Sequence, residues 1–258
     1  MNIETVQNKV YFIGAGPGDP DLITVKGARL VREADVIIYT GSLVNPRVVE
    51  DVKQGALVYD SAGMNLEEII EVITRAVQEG NTVARVHTGD PGLFGAIREQ
   101  MDRLQEAGVG FEVVPGVSSF SAAAASLQKE YTLPGVAQTV ILTRMEGRTP
   151  VPEKEKLSRL AAHGTSLVIF LSVQMMDQVV EELLQGYAPD TPAAVVQKAS
   201  WPDEIIIQGT LGDIAEKVRE AGIDRTALIL VGPFLGDRYQ LSRLYDKHFS
   251  HGYRGERK

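Results

Sequence analysis

The sequence predicts an α/β protein of two α/β domains, the first built on a mostly parallel sheet and the second on a mixed one. Three observations carry this. Short apolar runs alternate with helical patterns, each run in the first half opens into a loop rich in Gly, Pro, Ser or Thr, and the pattern lapses once near the middle. At roughly 100–200 residues per domain, 258 residues make one large or two modest domains. The 44% hydrophobic content supplies a core and argues against disorder.

The first strand is Val10-Tyr-Phe-Ile13, followed at once by Gly14-Ala-Gly-Pro-Gly-Asp-Pro20. A helical pattern over 22–32 and the run Val36-Ile-Ile-Tyr39 complete a βαβ unit, which implies parallel pairing. Asn65 and Glu68 have capping-box spacing ahead of a helix that carries Ile69, Ile70, Ile73, Ala76 and Val77, and Gly80 ends it. Strand Val83–Val86, the loop Thr88–Gly92 and a helix to about Ala107 follow. Strand Phe111–Val114 then runs into Pro115-Gly-Val-Ser-Ser119, and the small residues of 121–126 suit a closely packed helix.

Residues 1–127 are thus expected as the first domain, 128–137 as a connection, 138–235 as the second domain and 236–258 as a surface tail. The second domain reads as strand 139–143, a helix near Pro152, strand 166–171, helix 175–184, strands 193–196 and 204–208, helix 211–221 and strand 227–231. The short link into 204–208 leaves no room for a crossover helix, so that strand should be antiparallel.

Four loops carry the chemistry: 14–20, Thr40-Gly41-Ser42, 88–92 and 115–119. Each follows an apolar strand, so in an open parallel sheet all share the carboxyl edge, where ligands bind. The first is not a dinucleotide fingerprint. Pro17 removes an amide donor, the final glycine is missing, and the second strand ends in Tyr39-Thr40 with no acid to grip a ribose. None of the four loops contains lysine, which disfavours a phosphate ligand and suits one held through adenosine and amino-acid moieties.

Taken together, Gly14-x-Gly-Pro-Gly-Asp-Pro-x-x-Ile23-Thr24, His87-x-Gly-Asp-Pro-x-x-Phe94 and Pro115-Gly-Val-Ser-Ser resemble the tetrapyrrole methylases. Ile141–Arg144, Val168–Leu171 and Thr226–Pro233 extend the likeness over about 10–234. The resemblance implies two α/β domains with S-adenosyl-L-methionine in the cleft between them and S-adenosyl-L-homocysteine as product. Uroporphyrinogen methylases of this family carry an Asp-Arg pair after the second strand, where this chain has Thr40-Gly41-Ser42. The run Gly41-Ser-Leu-Val44 is instead similar to the precorrin-4 or cobalt-precorrin-4 carbon-11 methyltransferases of cobalamin synthesis. Alternatives are a precorrin-2, precorrin-3 or uroporphyrinogen-III methylase, or a nucleotide-binding module without catalysis.

By the same resemblance Pro17 packs by the cofactor, Thr88, Gly89, Asp90 and Leu93 hold its methionine part, and Ser118 and Ser119 add backbone and hydroxyl contacts. Leu171 faces the adenosine, with Ala199 and Ala227 as adenine neighbours. A homodimer is also implied. No catalytic residue is assigned; Asp90, Arg144 and Tyr131 are the candidates, and Ser42, Arg144 and Tyr131 are candidates for the tetrapyrrole. Asp90 and Asp19 each precede a proline, a pairing that also simply shapes turns. Arg144 is the preferred clamp for substrate carboxylates, with Lys198 and Arg98 behind it. His87 reads more readily as a packed histidine than as a catalyst, Met175 and Met176 as core or cleft lining, and Trp201 as a loop anchor.

Composition trims the remaining classes. Without cysteine there is no disulfide scaffold, thiol nucleophile or thiolate metal site. His248 and His251 stand three apart without carboxylates, so no metal site is expected. A net charge of -8 argues against nucleic acid and, with a polyanionic substrate, demands local positive charge. No apolar run reaches the roughly 20 residues of a membrane span, and the first ten residues lack a signal-peptide core, so a cytoplasmic protein is expected.

Overall fold

A computed structural model describes residues 10–242 and residue 249. The chain divides into two compact units. One runs to Ala122 and takes in Lys198–Asp203; the other comprises Ala123–Gln197 and the chain from Glu204 onward. The boundary therefore falls inside a helix, ahead of the 128–137 connection, and a short segment of the second half belongs to the first unit.

In the first unit the chain forms β1 (Val10–Gly14), α1 (Val25–Glu33), β2 (Val36–Tyr39), β3 (Leu57–Asp60), α2 (Leu66–Gln78), β4 (Val83–His87), α3 (Ile97–Glu106), β5 (Phe111–Val114) and the start of α4 (Ser119–Leu127). The sheet order is β3-β2-β4-β1-β5, and every neighbouring pair is parallel. β3 was not expected from the sequence. It is an edge strand whose Leu57 and Val58 are exposed, so it lacks the buried apolar run that marks its neighbours.

Alternation along the strands splits the apolar residues between two faces. Ile13, Ile37, Ala84 and Val86 pack with Leu30 and Val31 of α1. Phe12, Ile38 and Val83 pack with Ile69 and Ile73 of α2 and Leu104 of α3. Neighbouring strands β1 and β4 thus send their outgoing connections to opposite faces, which opens a crevice at their carboxyl ends. The capping box is present: the Asn65 side chain accepts from Glu68 N at 2.9 Å while Asn65 N donates to the Glu68 carboxylate at 2.8 Å. Asn65→Ala is expected to cost about 1 kcal/mol, read as a lowered urea midpoint.

In the second unit α4 leads to β6 (Val140–Arg144), α5 (Leu157–Ala161), β7 (Ser166–Phe170), α6 (Met176–Leu183), β8 (Pro192–Gln197), β9 (Ile205–Thr210), α7 (Ile214–Glu220) and β10 (Ala227–Val231). The order is β6-β7-β10-β8-β9, with β6 and β7 parallel and every other pair antiparallel, β9 on β8 included. Leu167, Ile169, Val195 and Ile229 of the sheet pack on Leu157, Val179, Leu183, Ile214 and Val218 of the helices, and Met176 joins them.

The helix expected near Pro152 starts later. Glu153–Glu155 forms only a 3-10 turn, and extended backbone at Lys156 (ψ 144°) separates it from α5. The tail touches the unit through Gln240 N, which donates to Pro134 O at 2.9 Å. Lys247, His248, His251, Arg254, Arg257 and Lys258 of the expected surface tail lie outside the described residues.

Candidate functional site

The crevice at the β1–β4 junction is built almost wholly from backbone. Gly14 pairs in register with His87, and Ala15 N donates to His87 O at 2.8 Å. One step on, Gly89 N donates to Gly16 O at 2.7 Å and Gly16 N to Gly89 O at 3.3 Å, so the loops after β1 and β4 are zipped together. The loop after β5 presses on both. A Cβ added at Gly116 would lie 2.7 Å from Gly14 Cα and closer still to Gly89 O, so three backbones meet where no side chain fits.

Asp90 holds this meeting point. One carboxylate oxygen accepts from Gly92 N at 2.8 Å, closing its own turn, and the other accepts from Gly116 N at 2.9 Å, tying the β4 loop to the β5 loop. Thr88, Leu93 and Ser119 are half-buried beside it, and Gly89 and Ser118 are buried. The expected turn role of Asp19 is also present, since its side chain caps the 3-10 turn Pro20–Leu22 by accepting from Asp21 N at 3.0 Å.

The second loop is fixed from elsewhere in the sheet. Asp60, at the end of β3, accepts from Gly41 N at 2.9 Å, and Ser42 stands exposed at the bend. Buried Asn45 reaches back to the first loop, its amide donating to Gly18 O at 2.8 Å. Sequence reasoning missed Asn45. Its one signal, an Asn-Pro dipeptide, reads as a local turn and says nothing of a partner 27 residues away.

A larger omission is the connection between β8 and β9. Its residues Lys198–Asp203 form a strap that belongs to the first unit and lies on the glycine-rich loop. The Trp201 indole N–H donates to Pro17 O at 2.9 Å, and Asp19 N donates to Ser200 Oγ at 3.0 Å. Pro17 and Ala199 are both buried. Lys198 and Ser200 adopt left-handed backbone at φ 50° and 69°, conformations that cost roughly 1–3 kcal/mol each and persist only where surrounding contacts fix them. The strap is closed by a Lys198–Asp203 ion pair, which occupies the lysine offered as a substrate contact.

The second unit places its own candidates differently. Leu171 follows β7 with left-handed backbone (φ 54°) and is 70% exposed, the geometry of a side chain held out for contact. Ala227 begins β10 and packs partly into the core. Tyr131 requires correction: it is only 9% exposed, its ring sits 4.9 Å from that of Phe234, and desolvation pushes its phenol pKa up. Burial removes it from the surface a macrocycle would need. Arg144 is also committed locally, its guanidinium donating to the carbonyls of Met145, Thr149 and Pro150 at 3.3, 3.0 and 2.9 Å. It braces its own loop. Arg98 pairs with Asp102 at 2.8 Å on the exposed face of α3.

His87 is a packed residue. It is 5% exposed on β4 with its ring 6.0 Å from that of Phe12 and no hydrogen-bond partner for Nε2. Burial, aided by the charge of Arg85, lowers its pKa to about 3, so it is a neutral imidazole at physiological pH.

These features suit one kind of ligand. A crevice of close-packed glycine backbone, with hydroxyls from Thr88 and Ser118 and no lysine or arginine in its four loops, matches a nucleoside carrying an amino acid better than a phosphate. Among the described residues no group of three or more His, Asp or Glu side chains is placed to hold a metal ion, and no helix is long and apolar enough to cross a membrane.

Comparison with known proteins agrees. The cobalt-precorrin-4 C(11)-methyltransferase of Methanocaldococcus jannaschii is 58% identical over 252 residues, covering 97% of each chain. The solved structure of a cobalt precorrin-4 methyltransferase of cobalamin biosynthesis matches with a TM-score of 0.86 at 50% identity, over 88% of this chain and 96% of that one. A Thermus thermophilus uroporphyrin-III C-methyltransferase, solved in complex with S-adenosyl homocysteine, matches with a TM-score of 0.75 at 33% identity, over 88% and 98%. The family model of the tetrapyrrole (corrin/porphyrin) methylases matches residues 9–215, and the chain belongs to that family.

Proposed function

We propose that this protein transfers a methyl group from S-adenosyl-L-methionine to carbon 11 of cobalt-precorrin-4 during cobalamin biosynthesis. The observation that carries this reading is the lysine-free glycine crevice at the β1–β4 junction, in a chain 58% identical to a relative named for that reaction. When bound, the cofactor would supply an electrophilic methyl group on its sulfonium for the electron-rich tetrapyrrole carbon, with S-adenosyl-L-homocysteine as the leaving group.

The residues of the chain bind and align, and orientation of this kind is worth ~7–11 kcal/mol of barrier. Thr88, Gly89, Asp90 and Leu93 take the amino-acid end. Asp90 keeps a fixed direction because two backbone amides hold its oxygens, which leaves further lone pairs for an ammonium group. Ser118 and Ser119 add hydroxyl and backbone contacts, with Pro17 of the first loop packing by the cofactor and Ala199 of the strap as an adenine neighbour. Leu171 and Ala227 are the contacts proposed from the second unit, on the adenosine. Ser42 is proposed on the acceptor side, at the exposed bend after β2. Arg144 remains the second unit's proposed partner for substrate carboxylates only through the guanidinium surface its own loop leaves open.

The test is methyl transfer from labelled cofactor to cobalt-precorrin-4, with metal-free precorrin-4, precorrin-2 and precorrin-3 alongside. Label at carbon 11, fastest on the cobalt form, is the expected result. Label elsewhere reassigns the chain to another reaction of the family, and cofactor binding without transfer to any tetrapyrrole removes the catalytic reading. The same reading includes a cytoplasmic homodimer. Ile205, exposed on edge strand β9, is apolar surface available for a second copy, and a monomer in sedimentation refutes the dimer alone.

A further inference from the structure

We propose that the Lys198–Asp203 strap is a positioning element of the cofactor crevice. In this proposal Trp201 fixes the peptide planes of the glycine-rich loop so that the Gly18 N–H is held as a donor for the ligand. The proposal rests on the cofactor reading above and deepens it.

The geometry starts from Pro17, which has no N–H of its own. Its carbonyl accepts the Trp201 indole N–H at 2.9 Å. The Pro17–Gly18 peptide is trans, so its N–H points opposite to its carbonyl and therefore away from the indole. Gly18 N–H donates to no described group, although the residue is buried. The next peptide plane is pinned from both ends. Gly18 O accepts from Asn45 at 2.8 Å, and Asp19 N donates to Ser200 Oγ at 3.0 Å. Two consecutive planes are thus fixed by three side chains, two of them from the strap.

Steric fit explains why position 18 is glycine. A Cβ there would lie 2.8 Å from Trp201 Cγ and nearer still to the pyrrole edge of the ring. The indole occupies the space a side chain would take. The strap is itself constrained, with left-handed backbone at Lys198 and Ser200, the Trp201 N to Lys198 O turn bond at 2.9 Å and the Lys198–Asp203 ion pair. A free surface loop has no need of this bracing. A loop whose task is to hold one ring against one carbonyl does.

The chain has one tryptophan, so the proposal has a spectroscopic signature. Titration of the full-length protein with S-adenosyl-L-homocysteine should shift Trp201 emission and saturate at the concentration found by calorimetry. Trp201→Phe keeps an aromatic ring in the Gly18 space but cannot donate to Pro17 O. It should weaken calorimetric affinity about three- to tenfold, the worth of one hydrogen bond, and raise KM for the cofactor more than it lowers kcat. Ser200→Ala frees the Asp19 plane and should weaken binding in the same direction while leaving tryptophan emission observable. Wild-type protein that gives no binding heat overturns the cofactor reading and this proposal with it. Wild-type binding with unchanged emission, and wild-type affinity in both variants, overturns this proposal alone.

Discussion

Gly116→Ala is expected to cost about 3 kcal/mol or more of stability. The added methyl would sit 2.7 Å from Gly14 Cα, 2.9 Å from Gly14 C and closer still to Gly89 O, all of them backbone atoms. No side chain can rotate out of the way, so a strand must move. Gly14 ends β1, which pairs with β4 on one side and β5 on the other, and displacing it would disturb both ladders. The bond from Gly116 N to Asp90 at 2.9 Å would also be lost. Overpacking typically costs 1–3 kcal/mol; three rigid contacts below 3 Å put this case at about 3 kcal/mol or more, against a total stability on the order of 5–15 kcal/mol. Gly63→Ala is the control. No atom lies within 4 Å of a Cβ there and its φ is not positive, so its effect should stay within about 0.5 kcal/mol. Urea unfolding of the two variants tests the claim, and a Gly116→Ala midpoint equal to wild type would refute it.

That crevice was legible in the sequence because its causes are local. Apolar runs ending in glycine-rich loops identify buried parallel strands, and the carboxyl edge follows from the topology rule. The capping box at Asn65 and the turns at Asp19 and Asp90 are short-range chemistry and read the same way. What escaped depends on distance along the chain. Trp201 lies 184 residues from Pro17, and nothing in Ser200-Trp-Pro202 indicates which loop the indole covers. β3 escaped for the opposite reason, because an exposed edge strand carries no burial pattern. Tyr131 and Arg144 show a third limit: residue type suggests stacking or carboxylate binding, but the neighbours that bury one and occupy the other are set by packing.

The charge balance was likewise only half readable. An acidic chain that binds a polycarboxylate needs local cations, yet the described arginine closest to the crevice by strand register is Arg85, buried two residue pairs below Gly14–His87. It is 4% exposed, bonded to Gln100 at 3.1 Å and to Ile38 O at 3.2 Å, with no carboxylate partner among the described residues. Burial lowers its pKa to about 10, which still leaves it charged at neutral pH. Such a cation is costly to hold in a core. Its measurable consequence falls on the next residue along the same face of β4.

The protein is expected to lose about 5 kcal/mol of stability between pH 6.5 and pH 3 through His87 alone. In the unfolded chain the imidazole titrates at 6.5; in the fold, burial first and the Arg85 charge second lower it to about 3. Across that window the unfolded state binds a proton that the folded state refuses, so stability falls as pH falls, by up to about 1.36 kcal/mol per unit. Stability from the neutral imidazole is complete above pH 6.5 and exhausted near pH 3. Asp35 acts later. Lys53 and Thr82 hold its carboxyl well below the usual range, so its contribution is lost as pH falls through the ordinary carboxylate value of 3.8 and below. Between pH 6.5 and 5 the slope therefore reports His87, and below about pH 5 Asp35, Glu153, Asp203, Asp213 and Asp224, whose carboxyls are all held below their ordinary values, add to it. His87→Gln replaces the imidazole with a side chain that does not titrate, and should flatten the slope above about pH 5 whatever it does to stability at pH 7. Urea unfolding at pH 7, 6 and 5 measures both proteins. A wild-type curve that is flat over this range, or a variant that keeps the slope, would show that the buried ring accepts a proton inside the folded protein.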